Sequence, residues 1–284
     1  MPESRREHQT NRLRRNVRRR QSQRPFWQAD KPYLHQGQIS DIRFRMLGYV
    51  MAFLAGAINA GGFFAVGRYT SHVTGEMSHA ADMAFLGNWQ TAGTALIGVL
   101  CFILGAAHSN WTILWAIRHR FRSGYGVSMW LESLYLLLFG LMGVGLADFR
   151  PVLAPLTVLL LCFIMGMHNT VLTVLSGGAI RSTHMTGTAT DLGIELSKVM
   201  YYRRSQNPRL PDIAVNRPKM KLLLGLMGAF LLGGVVGAAG YHYAGYRFTL
   251  PVAMVLFWLG FGSVGYDVKI RFKVWLRSRH DARP

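Results

Sequence analysis

Gly56-Ala57-Ile58-Asn59 is followed by His72-Val73-Thr74-Gly75, and Gly166-Met167-His168-Asn169 is followed by His184-Met185-Thr186-Gly187. From the asparagine to the histidine is thirteen positions in the first copy and fifteen in the second. Each copy closes a long apolar segment and opens a short polar one. A duplicated polar box inside apolar sequence is the layout of a transporter built from two repeats around one central site.

Working outward, six apolar runs are each long enough to cross about 30 Å of hydrocarbon, which takes about 20 helical residues. They cover approximately 46–67, 91–117, 127–147, 152–175, 219–243 and 248–268. The boxes sit at the heads of two shorter segments, 72–88 and 184–202, which follow the first and fourth runs. These are polar for spans: one carries Glu76, His79 and Asp82, the other Asp191, Glu195 and Lys198. The fold class expected is therefore all-α and polytopic, with about six membrane-spanning helices and two short helices that do not span.

Charge selects six spans over eight. Half the residues are hydrophobic while the formal net charge is +19. That combination suits apolar spans separated by basic loops. With six spans, the arginine-rich N-terminus, Arg118/Arg120/Arg122, Arg203/Arg204/Arg209/Arg217 and the basic C-terminus share one side. The other side keeps isolated arginines such as Arg68, Arg150 and Arg247. This positive-inside pattern predicts cytoplasmic termini. The divisions expected are a basic cytoplasmic tail at 1–45, a first membrane repeat at 46–147, a second at 148–270 and a basic tail at 271–284. Three spans per repeat is an odd number, so the second repeat would be inverted relative to the first. The two boxes would then enter from opposite faces toward a midplane site.

The first 45 residues lack the apolar core of a signal peptide. Their arginines are read as a tail that touches anionic lipid and fixes orientation. Clustered arginine also binds phosphates without sequence preference, which is the nucleic-acid alternative. Cys101 and Cys162 both fall within apolar runs and read as small packing residues. No Cys/His metal spacing, Walker A loop, dinucleotide-binding glycine pattern, HExxH or GxSxG occurs. An enzyme is not expected, nor a cofactor or metal.

The candidate substrate contacts are Asn59, His72, Thr74, Gly75 and Glu76 with Asn169, His184, Thr186 and Gly187. Ser71, Thr74, Ser182, Thr183 and Thr186 are capping residue types. A helix start also offers free N–H groups and a positive dipole end to an anionic or polar group. Gly75 and Gly187 allow close approach. Buried amides such as Asn59 and Asn169 need partners, on a neighbouring helix or a substrate. Gly61-Gly62 beside Asn59 makes a break in that span plausible. Glu76, Asp82, Glu132, His72 and His184 are candidates for proton or ion coupling, since ionisable groups at membrane depth point to function. For Glu132 the alternative is snorkelling toward the arginine loop. Asp191, Glu195 and Lys198 have the i, i+3 and i, i+4 spacing of a solvated, mutually paired face. His108 and His168 sit deeper and can each bond a neighbouring helix.

The Gly-x-x-Asn span, the Ser/Thr-His-hydrophobic-Thr-Gly box and the second copy, Met-Gly-Met-His-Asn then Thr-His-Met-Thr-Gly-Thr, resemble the YoaK family of bacterial membrane proteins over roughly residues 46–270. The resemblance implies a six-span inner-membrane architecture and no assigned activity. The family usually has Asn after the first Thr-Gly, where this chain has Glu76. The expected function is a transporter or channel for a small polar solute or ion. Its partners are the bilayer and that solute, and a homo-oligomer stays open. The alternative is a non-transporting membrane scaffold or partner subunit, for which the arginine tail would be the working part.

Overall fold

A computed structural model describes residues 42–67, 69–119, 121, 124–146, 149–178, 180–201 and 214–261. The arginine tail, Arg68, Arg120, Arg122, Asp148, the arginines of 203–209 and the basic C-terminus lie outside these residues. Helices α1 (Ile42–Val66), α2 (Val73–Phe85), α3 (Trp89–Arg118), α4 (Gly124–Gly145), α5 (Arg150–Leu175), α6 (Met185–Tyr201) and α7 (Arg217–Ala244) follow one another. A 3-10 turn at Gly245–Phe248 leads into α8, described over 249–261. No strand occurs among the described residues.

Five segments are long and apolar enough to cross a membrane, and the last runs unbroken in composition from Arg217 to Phe261, 45 residues. That is twice one crossing. Gly245 breaks it with φ 58 and ψ −150, a conformation close to glycine-only. The chain is an all-α polytopic membrane protein. Large apolar side chains cover its outside, among them Leu100, Ile103, Leu104 and Trp111 on α3 and Leu231, Leu232 and Val235 on α7. Such a surface suits lipid and would aggregate in water.

Two close helix pairs organise the interior, and each is cut to fit by glycine. In α1 against α7, a methyl group on Gly56 would overlap the Phe230 carbonyl oxygen, and one on Gly233 would overlap that of Phe53. In α3 against α5, Gly166 meets the Phe102 carbonyl and Gly105 that of Phe163 in the same way. All four helices therefore carry Phe-x-x-Gly at the contact: Phe53/Gly56, Phe102/Gly105, Phe163/Gly166 and Phe230/Gly233. Without a hydrophobic force between helices in lipid, backbone approach over small residues is what holds them.

Contacts fix the directions of the helices. Tyr49 meets Gly225 and Gly61 meets Tyr241, so α1 and α7 run parallel. Gly124 packs on Ile113 and Ser109 bonds Ser128 at 2.7 Å, so α3 and α4 are antiparallel. Gly145 abuts Leu153 while His168 reaches Glu132, so α4 and α5 are antiparallel too. Early in α1, Met51 meets His168, which holds Glu132 early in α4; later, Tyr241 beside Gly61 meets Phe139, ring centroids 6.3 Å apart. Hence α1 runs with α4 and against α3. The chain leaves α1 and enters α3 at one end of the molecule, so the segment holding α2 begins and finishes at that end. The same reasoning applies to α6 between α5 and α7, at the opposite end. Gly260 against Gly126, and Thr249 against Gly140, set α8 antiparallel to α4.

The expected break at Gly61-Gly62 is absent: α1 stays helical to Val66. Gly61 serves contact instead, because the Tyr241 ring occupies the space of a side chain there.

Candidate functional site: two boxes folded back on their spans

Each box is fastened by the asparagine of its own span. The Asn59 carboxamide oxygen accepts from the Ser71 hydroxyl at 3.1 Å and from the Ser71 N–H at 3.4 Å. The Asn169 oxygen accepts from the Ser182 hydroxyl at 3.4 Å and the Thr183 N–H at 3.5 Å. Asn59 lies seven residues before the end of α1, about 10 Å at 1.5 Å per residue. The loop therefore doubles back along the last two turns of the span, and α2 starts beside α1 rather than beyond it. The second box repeats this against α5. Sequence reading offered the amides as packing groups or site lining; their carbonyl oxygens are taken by the loops.

The box itself has a structural logic. The His72 ring folds over the first turn of α2 into the space a side chain on Gly75 would fill, and His184 does the same over Gly187. The His and Gly of each box are thus one steric unit. His72 is the N-cap residue of α2, with no side-chain capping bond, and its carbonyl accepts from the Glu76 N–H at 3.0 Å. Ser71, a capping type, spends its hydroxyl on Asn59 instead. In the second box the His184 carbonyl accepts from Thr188 at 3.0 Å through nitrogen and 2.9 Å through the hydroxyl. Thr74 and Thr186 are both exposed.

Around the first box an open cleft of about 260 Å³ is lined by Tyr69, His72, Gly75, Glu76 and His79. One carboxylate, two imidazoles and a phenol give it hydrogen-bonding groups of both kinds. Three of the expected residues, His72, Gly75 and Glu76, meet there; Tyr69 and His79 are additions that the box pattern did not mark. Asp82 is exposed further along α2. Because α1 and α5 run oppositely, the boxes lie at opposite ends of the molecule, and no described contact joins them. Among the described residues no three His, Cys, Asp or Glu side chains gather to hold a metal ion.

Between the boxes lies a feature sequence reading only half anticipated. Glu132, expected either to function or to snorkel, is fully buried, and its Oε1 lies 2.5 Å from His168 Nδ1. His168 Nε2 donates to the Met51 carbonyl at 2.8 Å. Snorkelling is ruled out because the carboxylate points inward to α5. His108 bonds Tyr135 at 3.3 Å, a link between neighbouring helices as expected.

On α6, the paired face is only partly solvated. Lys198 does bond Glu195, at 2.8 Å, but Glu195 is 2 % exposed and its second oxygen accepts the Asn216 N–H at 2.9 Å. Asp191 pairs with Lys219 of α7 at 3.1 Å. The face turns toward α7, whose start needs anchoring. The hydrogen bond from Lys198, with that from Asn216, holds the Glu195 carboxyl below its ordinary range.

Residues 47–262 match the family described as a protein of unknown function (DUF1275), and the chain belongs to that family. Neither the curated proteins nor the solved structures contain a match.

Proposed function

We propose that this YoaK-like chain is an inner-membrane transporter or channel for a small polar solute or ion, not an enzyme. Its two halves would be inverted repeats, and both termini would face the cytoplasm. One observation carries the reading: each box is folded back along the last two turns of its span and fastened there by an asparagine. Non-helical backbone at that depth is tolerated where it lines a cavity, and paired broken segments mark transporter sites. The parallel Phe-x-x-Gly pairs support the repeat relation, since α1 matches α5 and α3 matches α7 in residue and contact. Solute contacts would come from Asn59, His72, Thr74, Gly75 and Glu76 at one end and from Asn169, His184, Thr186 and Gly187 at the other.

A thermal-shift screen of the purified protein against metabolites and ions tests this, because a ligand of the folded state raises apparent stability. A responding solute is expected, and Thr74→Val or Thr186→Val should abolish its effect in protein that still folds. If the response survives in both variants, the threonines are not contacts. If no solute responds while deletion of residues 1–40 abolishes the cellular role, the scaffold alternative stands.

A further inference from the structure

We propose that Glu132 and His168 form a proton-binding site at the junction of α1, α4 and α5, and that loss of its proton releases one of those helices from another. The inference rests on the transport reading for its purpose but not for its chemistry. A backbone carbonyl only accepts, so His168 Nε2 carries hydrogen when it bonds Met51. The contact between Nδ1 and Glu132 then needs a second proton, on nitrogen or on the carboxyl. With that proton the pair is neutral overall and both ring nitrogens are satisfied. Without it, one hydrogen must serve two acceptors. Either the Nδ1 lone pair faces the carboxylate, or the Nε2 lone pair faces the Met51 carbonyl. One contact must open: α5 from α4, or α5 from α1. The lost proton also leaves a net charge among fully buried groups, which is costly without a partner.

A second observation points to a ligand. Glu132 Oε2 is buried and has no hydrogen-bond partner among the described residues. It is an open acceptor among buried groups, and a proton or a water carrying one would satisfy it. Among the described residues no cation other than His168 is paired with Glu132. The helices around the site carry Arg45 and Tyr49 on α1, Cys101, His108 and Arg118 on α3, Tyr125 and Tyr135 on α4, Cys162 on α5 and Lys219, Lys221 and Tyr241 on α7, while α8 has no titratable side chain over 249–261. His108 and Tyr135 bond each other. Among the described residues His168 is the titratable partner of Glu132. The site also touches both boxes through the chain: Asn169 follows His168, and Asn59 lies eight residues, or about 12 Å, beyond Met51 on the same helix. The first repeat has Ile58 where the second has His168, so the site exists once.

Isotope-edited infrared difference spectra between pH 6 and pH 10, a window above the ordinary glutamate range, on full-length protein in lipid nanodiscs, test the proposal. Labelling with ¹³C-glutamate marks only Glu3, Glu7, Glu76, Glu132 and Glu195. The expected result is a glutamate band, of the carboxyl or of a carboxylate that loses its imidazolium partner, that titrates in wild-type protein, disappears in Glu132→Gln and persists in Glu76→Gln and Glu195→Gln. His168→Gln should move its midpoint by at least one pH unit, a tenfold change in proton affinity. If Glu132→Gln does not fold, persistence of the band in both other variants, with the His168→Gln shift, carries the assignment. Absence of any titrating glutamate band, or its loss in Glu76→Gln, overturns the proposal. Solute does not enter this measurement, so a silent Glu132 sinks the proton site alone and a failed solute screen sinks the transport reading alone.

Discussion

At the scale of single residues, glycine and asparagine carry more of this structure than the charged groups do. The boxes were legible because polar letters stand out in apolar sequence. The Phe-x-x-Gly contacts were not, because phenylalanine and glycine are common in membrane helices and the chain has 31 glycines. Only the meeting of backbones singles out four of them. Gly56→Ala and Gly166→Ala should each destabilise by about 1–3 kcal/mol, the cost of forcing a methyl against a carbonyl that cannot move without its helix. Gly228→Ala has open space around its new methyl and should be neutral or stabilising by up to about 1 kcal/mol. Unfolding in mixed detergent, followed by circular dichroism, ranks the three. Equal losses at all three would mean that the close pairs are not what holds α1.

At the scale of elements, the shortness and polarity of α2 and α6 are legible in the sequence, but their fastening is not. Nothing in the spacing of Asp191, Glu195 and Lys198 reveals that Asn216, beyond a twelve-residue gap in the described chain, reaches back to Glu195. Separation in sequence defeats helical-face reasoning, which sees only i, i+3 and i, i+4 partners. The attachment of α6 to α7 should depend on pH. The folded Glu195 carboxyl lies below its ordinary range, so its contribution is complete above the unfolded value of about 4.5 and is lost as pH falls through the lower folded value. Hydrogen exchange at residues 214–217 should therefore quicken, relative to an unstructured reference, as pH drops below about 4.5. Glu195→Gln should show quick exchange already at neutral pH and little further change. Protection that is the same in both proteins at neutral pH would remove the staple.

At the scale of the whole molecule, the helices alternate in direction. Charge distribution predicted six crossings, and helix contacts give α1, α4 and α7 one direction and α3, α5 and α8 the other. The parallel pairing of α1 with α7 could not be read from sequence, because loop charges orient helices without saying which ones touch. Single cysteines in a background lacking Cys101 and Cys162 test the orientation in cells. Gln90→Cys, at the start of α3, should react with an impermeant maleimide added outside. Phe121→Cys and Met200→Cys should react only after the membrane is opened. External labelling of Phe121→Cys would end the six-crossing arrangement.

The partnership of α1 with α7 also imposes a timetable on biosynthesis. Tyr49 hydrogen-bonds the Lys221 carbonyl across 172 positions of chain. At a translation rate of about 5–20 residues per second, α1 is in the membrane for roughly 10–30 s before its partner exists. For that interval the most enclosed helix of the finished protein, 61 % of its apolar window buried, stands with its glycine face against lipid. Each half lends the other one helix of a glycine-fitted pair, so neither half is expected to mature alone. Separate chains 1–147 and 148–284 should each be degraded when expressed singly and should accumulate together when co-expressed, as immunoblots of membrane fractions would show. The molecule is then an exchange between its two halves, finished only when the last third of the message has been read.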